Sequence, residues 1–381
     1  MTLRMHRVLG TLMGLAALTS APLAAQGQQD NTGYGGTAAE FLLLGAGARG
    51  AALGGAFAAL TNDVTALYYN PAGLAQMSRP AAMVSTYSYV ASTRYTWVGI
   101  GLPMSGGSRA VGVQVGSFGF SDQPVYTLED PDGTGETYSV SETFLAGTYS
   151  QNFSDRFSAG FTAKMVTDHL GSTAGTGFAL DFGTNFHAMI GERPIRAAFV
   201  IQNLGTNLRH DGSALETGVT RAPPLGTVNI PQEVQPVRLR TSSWGLPVQF
   251  RVGVALDLLN QGMNRVSVLG EFTQPVNTKP GAGAGLEWNL ANVGNSGFSL
   301  AARGSYTLQP DNNLDQPHDA VGNPAAGFET GISTSNFSAD GLALGGGLAY
   351  GRGNWHIGFD YAYRNLGALG GTNFLSFSVG W

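Results

Sequence analysis

The chain has 381 residues, 43% of them hydrophobic and only 12% charged, with 56 glycines and no cysteine. Soluble domains carry about 25% charged residues, so this chain is charge-poor by half. The missing cysteines exclude a disulfide framework and a thiolate metal site, and a formal charge of −5 is no footprint for nucleic acid.

Residues 1–25 read as a signal peptide. Arg4 and Arg7 form a basic n-region, Val8 to Leu18 supply an apolar core too short to span a bilayer, and Ala24-Ala25 before Gln26 mark a cleavage point. Cleavage removes two arginines and no acid, taking the charge to −5 − 2 = −7. The competing reading is a retained amphipathic helix. The expectation is an exported protein.

Residues 26–79 form a leader and plug. Residues 26–37 are rich in Gln, Gly, Asn and Thr, as a flexible leader would be. Residues 38–79 are an Ala/Gly/Leu-rich block, too small and glycine-rich to fold alone. Seated inside a barrel, its glycines would let the backbone approach the wall closely. Asn62-Asp63 offer a helix start, and Asn70-Pro71 a turn that ends it. Gly45, Gly47 and Gly50 match G-x-G-x-x-G, but only Phe41 to Leu44 precede them and no parallel-sheet pattern follows. A dinucleotide fingerprint needs a βαβ unit around it, so this match is set aside.

Residues 80–381 alternate apolar with polar or small residues, segment after segment. Val111, Val113 and Val115 alternate with Gly112, Gln114 and Gly116; Phe250, Val252, Val254 and Leu256 alternate with Gln249, Arg251, Gly253 and Ala255. Period two over about ten residues is what a tilted, lipid-facing strand requires. No interior stretch reaches the ~18 apolar residues of a membrane-spanning helix. Fourteen segments are expected, at 82–90, 94–102, 109–120, 139–151, 156–169, 175–187, 195–204, 248–257, 264–274, 281–289, 297–307, 342–350, 355–364 and 374–381. The fold class is all-β: a transmembrane antiparallel β-barrel of about fourteen strands with a small N-terminal helical and coil plug.

Loop parity supports this count. Connections after even strands (103–108, 152–155, 188–194, 258–263, 290–296, 351–354) are short, as periplasmic turns are, while the long connections 121–138, 205–247 and 308–341 follow odd strands and face outside. Leu375, Phe377, Val379 and Trp381 alternate with Phe374, Ser376, Ser378 and Gly380. This makes strand fourteen, with Trp381 at the periplasmic interface. It is also the expected handle for membrane insertion, so its removal should abolish assembly. The weighed alternative for this segment alone is an edge strand of a soluble sandwich. Tyr87, Tyr89, Tyr95, Trp97, Trp288, Tyr306, Trp355, Tyr363 and Trp381 near strand ends are candidate headgroup-level aromatics, or simple packing residues.

Lys164, Asp181, Arg251, Glu271, Glu287, Arg303, Asp360 and Arg364 fall on the polar face. Toward lipid they would be costly, so they are placed in the lumen, as a paired network or as solvated residues without specific partners. Asp130-Pro131-Asp132-Gly133-Thr134-Gly135-Glu136 resembles a calcium loop, but position twelve is Ser141 rather than Glu; a solvated acidic loop is preferred to a weak calcium site. His6, His169, His187, His210, His318 and His356 are scattered without metal spacing, and no G-x-S-x-G elbow appears. No enzyme, metal site or cofactor is expected.

Glu40-Phe41-Leu42-Leu43-Leu44, Gly47-Ala48-Arg49-Gly50-Ala51-Ala52-Leu53-Gly54-Gly55-Ala56-Phe57, Asn62-Asp63 and Tyr69-Asn70-Pro71-Ala72-Gly73-Leu74 together resemble the N-terminal signature of the PorV/PorQ family. The resemblance continues through Gly133-Thr134-Gly135-Glu136-Thr137, the Gln202-Asn203-Leu204-Gly205 turn, Leu246 to Ala255 and Phe359-Asp360-Tyr361-Ala362-Tyr363. Asn-Pro-Ala-Gly-Leu alone also occurs in long-chain fatty-acid transporters of the FadL type. Both families resemble each other as fourteen-stranded barrels with an N-terminal plug. The resemblance implies an outer-membrane accessory of type IX secretion that docks with the translocon or shuttles cargo through its extracellular loops. The Pro-rich insertion 205–247, with Pro223, Pro224, Pro231 and Pro236, departs from that pattern. The alternative is a FadL-like channel for hydrophobic small molecules gated by the plug. Expected partners are outer-membrane lipid, secretion proteins or a hydrophobic ligand, and no nucleic acid.

Overall fold

A computed structural model describes residues 36–220, 234–308 and 341–381. The signal segment, most of the leader, and Pro223, Pro224 and Pro231 lie outside the described residues.

Alternation of apolar and polar side chains produces long antiparallel strands whose outer faces are apolar. In chain order they are β1 (Ala81–Ser88), β2 (Arg94–Met104), β3 (Arg109–Pro124), β4 (Thr137–Ser154), β5 (Phe157–Leu170), β6 (Thr173–Ile190) and β7 (Arg193–Gly205). Three short strands follow: β8 (His210–Gly212), β9 (Glu216–Thr220) and β10 (Val234–Arg238). The wall resumes with β11 (Gln249–Gln261), β12 (Asn264–Pro275), β13 (Gly281–Leu290), β14 (Phe298–Leu308), β15 (Leu342–Arg352), β16 (Trp355–Asn365) and β17 (Gly371–Gly380). Leaving β8–β10 aside, each strand pairs antiparallel with its sequence neighbours, β7 pairs with β11, and β17 pairs with β1 from Ala81↔Gly380 to Tyr87↔Phe374. The result is a closed fourteen-stranded barrel without a free edge, which satisfies every ladder internally as a bilayer demands.

Register arranges the outer face in bands. Val84, Val98, Val115, Leu145, Met165 and Phe178 stand opposite one another across β1–β6. One step toward the long loops lies a row of hydroxyls, Thr86, Thr96, Ser117, Thr143, Thr167 and Thr176. The apolar outer face of these six strands ends there. Trp288, Trp355 and Trp381 are exposed at the opposite, short-turn end, and Tyr363 at the long-loop end, where headgroup-level aromatics belong.

One open reading is decided and one expectation is corrected. Tyr87, Tyr95 and Trp97 are buried in the lumen and are not headgroup residues. On β2 the aliphatic set Val98, Ile100 and Leu102 takes the outer face, so Tyr95 and Trp97, one register away, must point inward. Gln202-Asn203-Leu204-Gly205 is not a turn. It is the bulged end of β7, where pairing with β6 shifts between Leu180 and Phe182, and Asn203 takes φ +61. Within 205–247, β8 pairs with the start of β6, and β9 pairs antiparallel with β10, which contains Pro236. The last wall strand begins at Gly371, and Trp381 lies just beyond it, its N–H donating to the Pro80 carbonyl at 3.1 Å.

The plug enters at the long-loop end, where Ala38 N–H donates to Gly245 O at 2.9 Å, and runs down the lumen to Met77 before joining β1. It carries two short helices, α1 (Ala48–Ala52) and α2 (Ala66–Tyr69), with 3-10 turns at Glu40–Leu43 and Pro71–Gln76. These pieces are too short to satisfy their own backbone. The wall does it for them, and a buried apolar cluster lies between plug and wall: Phe57, Leu53, Leu67 and Leu74 from the plug, Trp97, Tyr95 and Phe144 from the strands.

Candidate functional site

Each stretch of plug backbone is held by a side chain on an inward strand position. Ala48 N–H donates to Ser376 Oγ (2.7 Å), Ser305 Oγ donates to Ala52 O (3.0 Å), and Thr307 Oγ1 donates to Gly54 O (3.2 Å). Tyr87 donates to Leu44 O at 3.0 Å. Gln114 donates to Leu67 O and accepts from the Trp97 indole at 2.8 Å; Gln202 donates to Tyr68 O. Buried backbone polar groups must be paired, and here the pairing is supplied across the lumen.

Asn70 ends α2 and starts the next turn. Its Oδ1 accepts from Ala72 N at 3.1 Å, while Nδ2 donates to Ala58 O (2.9 Å) and to Thr184 O of the wall (3.2 Å). Pro71 occupies the first position of the 3-10 turn, where its lost N–H costs nothing. Pro71, Ala72, Gly73 and Leu74 are buried, Pro71 and Ala72 against β5 and β6 and Leu74 against β2 and β3. Gly160 and Gly183 make that approach possible: a Cβ on Gly160 would collide with the backbone of Pro71 and Ala72, and one on Gly183 with Asn70 and Pro71. The proposed helix start at Asn62-Asp63 lies just upstream of α2, with Asp63 Oδ1 accepting from Thr65 N at 2.8 Å.

Arg49 of α1 reaches the wall. Its Nε and Nη2 bind both carboxylate oxygens of Glu287 at 2.7 and 2.8 Å, and Nη1 donates to Asn62 Oδ1 (2.9 Å) and Asp63 Oδ2 (2.6 Å). Glu287, fully buried on β13, also accepts from Arg303 Nε at 2.8 Å, and Arg303 bridges to Asp360. A second network joins Arg251 Nε to Glu271 Oε1 at 2.6 Å; the other Glu271 oxygen accepts from Ala58 N at 2.8 Å, and Arg251 donates to Gly55 O. At the β6–β7 bulge Lys164 pairs with Asp181 (2.8 Å) and donates to Asn203 Oδ1 (2.7 Å), while Asp181 Oδ1 accepts from Asn203 N (2.8 Å). Near the short-turn end Arg196 binds Asp257, which also accepts from Ser267 at 2.7 Å. Charges in so dry a space survive only when paired and hydrogen-bonded. Arg364 departs from the pattern: it makes no ion pair or hydrogen bond among the described residues, and its Nε is buried without a partner.

Above the plug, at the long-loop end, lies a cavity of about 780 Å³. Its floor is plug: Phe41, Leu44, Gly55, Tyr68 and Tyr69. Its walls include Tyr87, Tyr89, Phe118, Phe374, Arg251, Glu271 and Arg364. The cavity is concave and its lining is mixed, aromatic rings standing beside charged, amide and hydroxyl groups, a form open to a small molecule with both apolar and polar parts. A smaller cavity of about 400 Å³ at the β1–β17 seam shares Tyr87, Tyr89 and Leu369 with it.

The structure sorts the remaining sequence candidates. Gly45, Gly47 and Gly50 shape the path of the plug; Gly50 packs on the Tyr69 ring, leaving no cradle for a nucleotide. Asp130, Asp132 and Glu136 form a local turn in which Gly133 N–H donates to Asp130 O at 3.1 Å, and no group of metal-binding side chains converges among the described residues. Phe377 faces outward, exposed. Sequence reasoning missed Gln114, Gln202, Ser376 and Ser305. Their one signal is a polar residue on the inward phase of an apolar strand.

No protein-family model and no curated protein matches the sequence. Among solved structures, the chain is similar to "CymD monoaromatic hydrocarbon channel" at a TM-score of 0.50 and 13% identity, covering 89% of this chain and 97% of that one. It is equally similar to the Ralstonia pickettii toluene transporter TbuX, at 0.50 and 12% identity over 89% and 98%. A Pseudomonas aeruginosa FadL homologue superimposes less closely, at 0.43 and 9% identity over 85% and 94%. The fold is therefore that of the first two channel barrels.

Proposed function

We propose that the protein is a non-catalytic outer-membrane channel that admits hydrophobic small molecules from the long-loop side and holds them above the plug. The observation that carries this reading is the cavity of about 780 Å³ at the long-loop end, floored by plug residues and lined by aromatic rings together with polar groups. Its apolar rings favour transfer of a greasy solute out of water. The fold supports it, since the two structures that superimpose at 0.50 are named as a monoaromatic hydrocarbon channel and a toluene transporter. The chain takes the outer membrane as its site, with lipid against its apolar bands. Nothing among the described residues favours docking to a secretion translocon or cargo: much of the loops 205–247 and 308–341 lies outside them.

Uptake of radiolabelled naphthalene into cells lacking their own hydrocarbon channel tests the reading. The full chain should raise uptake, and Leu44→Trp, which fills the cavity floor, should lower it while the barrel still assembles. Uptake no greater than in cells without the protein would defeat it.

A further inference from the structure

Charge is scarce in the lumen and almost all of it is cancelled. Arg49, Arg251, Arg303, Lys164 and Arg196 each have a carboxylate partner. Arg364 has none among the described residues, and it lines the cavity. It sits on the inward face of β16, between Ala343 of β15 and Thr372 of β17 in register. Neither neighbour is an acid. Glu40 and Glu142 line the same cavity but make no ion pair with it, and Glu40 is occupied in accepting from Thr37 (2.9 Å) and Asn277 (3.0 Å).

A guanidinium offers five N–H donors in a planar fork. The Nε–H of Arg364 is buried without a partner among the described residues, which costs free energy, and the side chain lines the cavity. The rings around this guanidinium are aromatic: Phe374 and Tyr87, with centroids 4.1 Å apart, Tyr89 at the rim, and Tyr69 on the plug. A flat apolar body can lie against these rings while an anionic group meets the fork, which matches carboxylate or sulfonate geometry in bidentate fashion.

We propose that Arg364 is an anion-binding, specificity-determining residue, and that the cavity takes aromatic anions: one or two fused rings bearing a carboxylate or sulfonate. This rests on the channel reading above and narrows it from any hydrophobic solute to one with an acidic head.

Two probes that differ only in that head separate the claims. Radiolabelled 2-naphthoate and naphthalene are titrated by equilibrium dialysis against the full chain in lipid nanodiscs, with the heat-modifiable gel shift of each variant as the check on assembly. Loss of a charge-assisted hydrogen-bonded pair of this kind corresponds to about tenfold or more in Kd. The wild type should bind naphthoate more tightly than naphthalene. Arg364→Gln should weaken naphthoate by that factor and naphthalene far less, and Arg364→Lys should recover part of the loss. Naphthoate binding that ignores Arg364→Gln, or 2-naphthylmethylammonium bound as tightly as naphthoate, overturns the assignment while the channel reading stands. Failure of both naphthalene and naphthoate to bind the wild type overturns the channel reading as well.

Discussion

Arg49 Nε lies 2.7 Å from Glu287 Oε2, and that contact spans 238 residues of sequence to tie the plug to the wall. The carboxylate is shared: Arg303 binds the same oxygen at 2.8 Å, and Arg265 lies 3.5 Å from the other. One fully buried acid thus organises two close guanidiniums and a third at longer range. Removing one partner of a buried pair costs about 3–5 kcal/mol, because the charges left behind stay buried. Glu287→Ala should therefore lower the urea midpoint of the detergent-solubilised barrel far more than Arg49→Met, which leaves Glu287 still paired with Arg303. The double variant should cost less than the sum. Equal and additive losses would show that the three groups do not act as a unit.

Gly160 is the closest approach of plug to wall on β5. Its Cβ position is occupied by the Pro71 carbonyl carbon and Ala72 nitrogen, which are backbone and cannot swing aside. Gly160→Val should push the Pro71–Gln76 turn off the wall, break the Ser158 and Ser150 bonds to Ala72 O at 3.3 and 3.2 Å, and loosen the lower seal. Overpacking of this kind costs about 1–3 kcal/mol, too little to unfold the barrel. The expected outcome is a correctly assembled protein that leaks: faster swelling of proteoliposomes in a small sugar. A neighbouring outward change, Ala159→Val, should not leak. Equal swelling for the two variants would place the seal elsewhere.

The wall was legible in the sequence and its interior was not. Period-two alternation located fourteen wall strands because lipid imposes one apolar face on each, and Val113, Phe161 and Phe359 are exposed where that rule puts them. The aromatics were harder. Tyr95 and Trp97 are as apolar as any lipid-facing residue, and only the competing aliphatic set Val98 and Ile100 reveals that they point inward onto the plug. Hairpin β9–β10 escaped because its strands lie in a polar loop and bury no face, so no alternation marks them. The plug was visible as a change of texture at 38–79, but Arg49 carries nothing in its local sequence to name Glu287. Barrel closure brings the two together, and closure is a property of all fourteen strands at once.

The rows across β1–β6 make a depth-graded prediction. Val113 stands on β3 between Ile100 and Gly147, two register steps on the short-turn side of Ser117 and so within the apolar band. Ser121 lies beyond the hydroxyl row, toward the long loop. An arginine on the lipid face costs about 2–4 kcal/mol near the bilayer midplane and about 0–1 near the interface. Val113→Arg should therefore destabilise folding into lipid vesicles by the larger amount and Ser121→Arg by little, read from urea titrations of tryptophan fluorescence. Neither change touches the plug, whose nearest wall residue on this strand is Gln114, one position away and facing inward to Leu67 O. The difference between the two variants thus measures the outer face alone. Equal costs would mean that the hydroxyl row Thr86–Thr96–Ser117–Thr143–Thr167–Thr176 does not mark the edge of the hydrocarbon, because a charge on either side of it would then meet the same solvent.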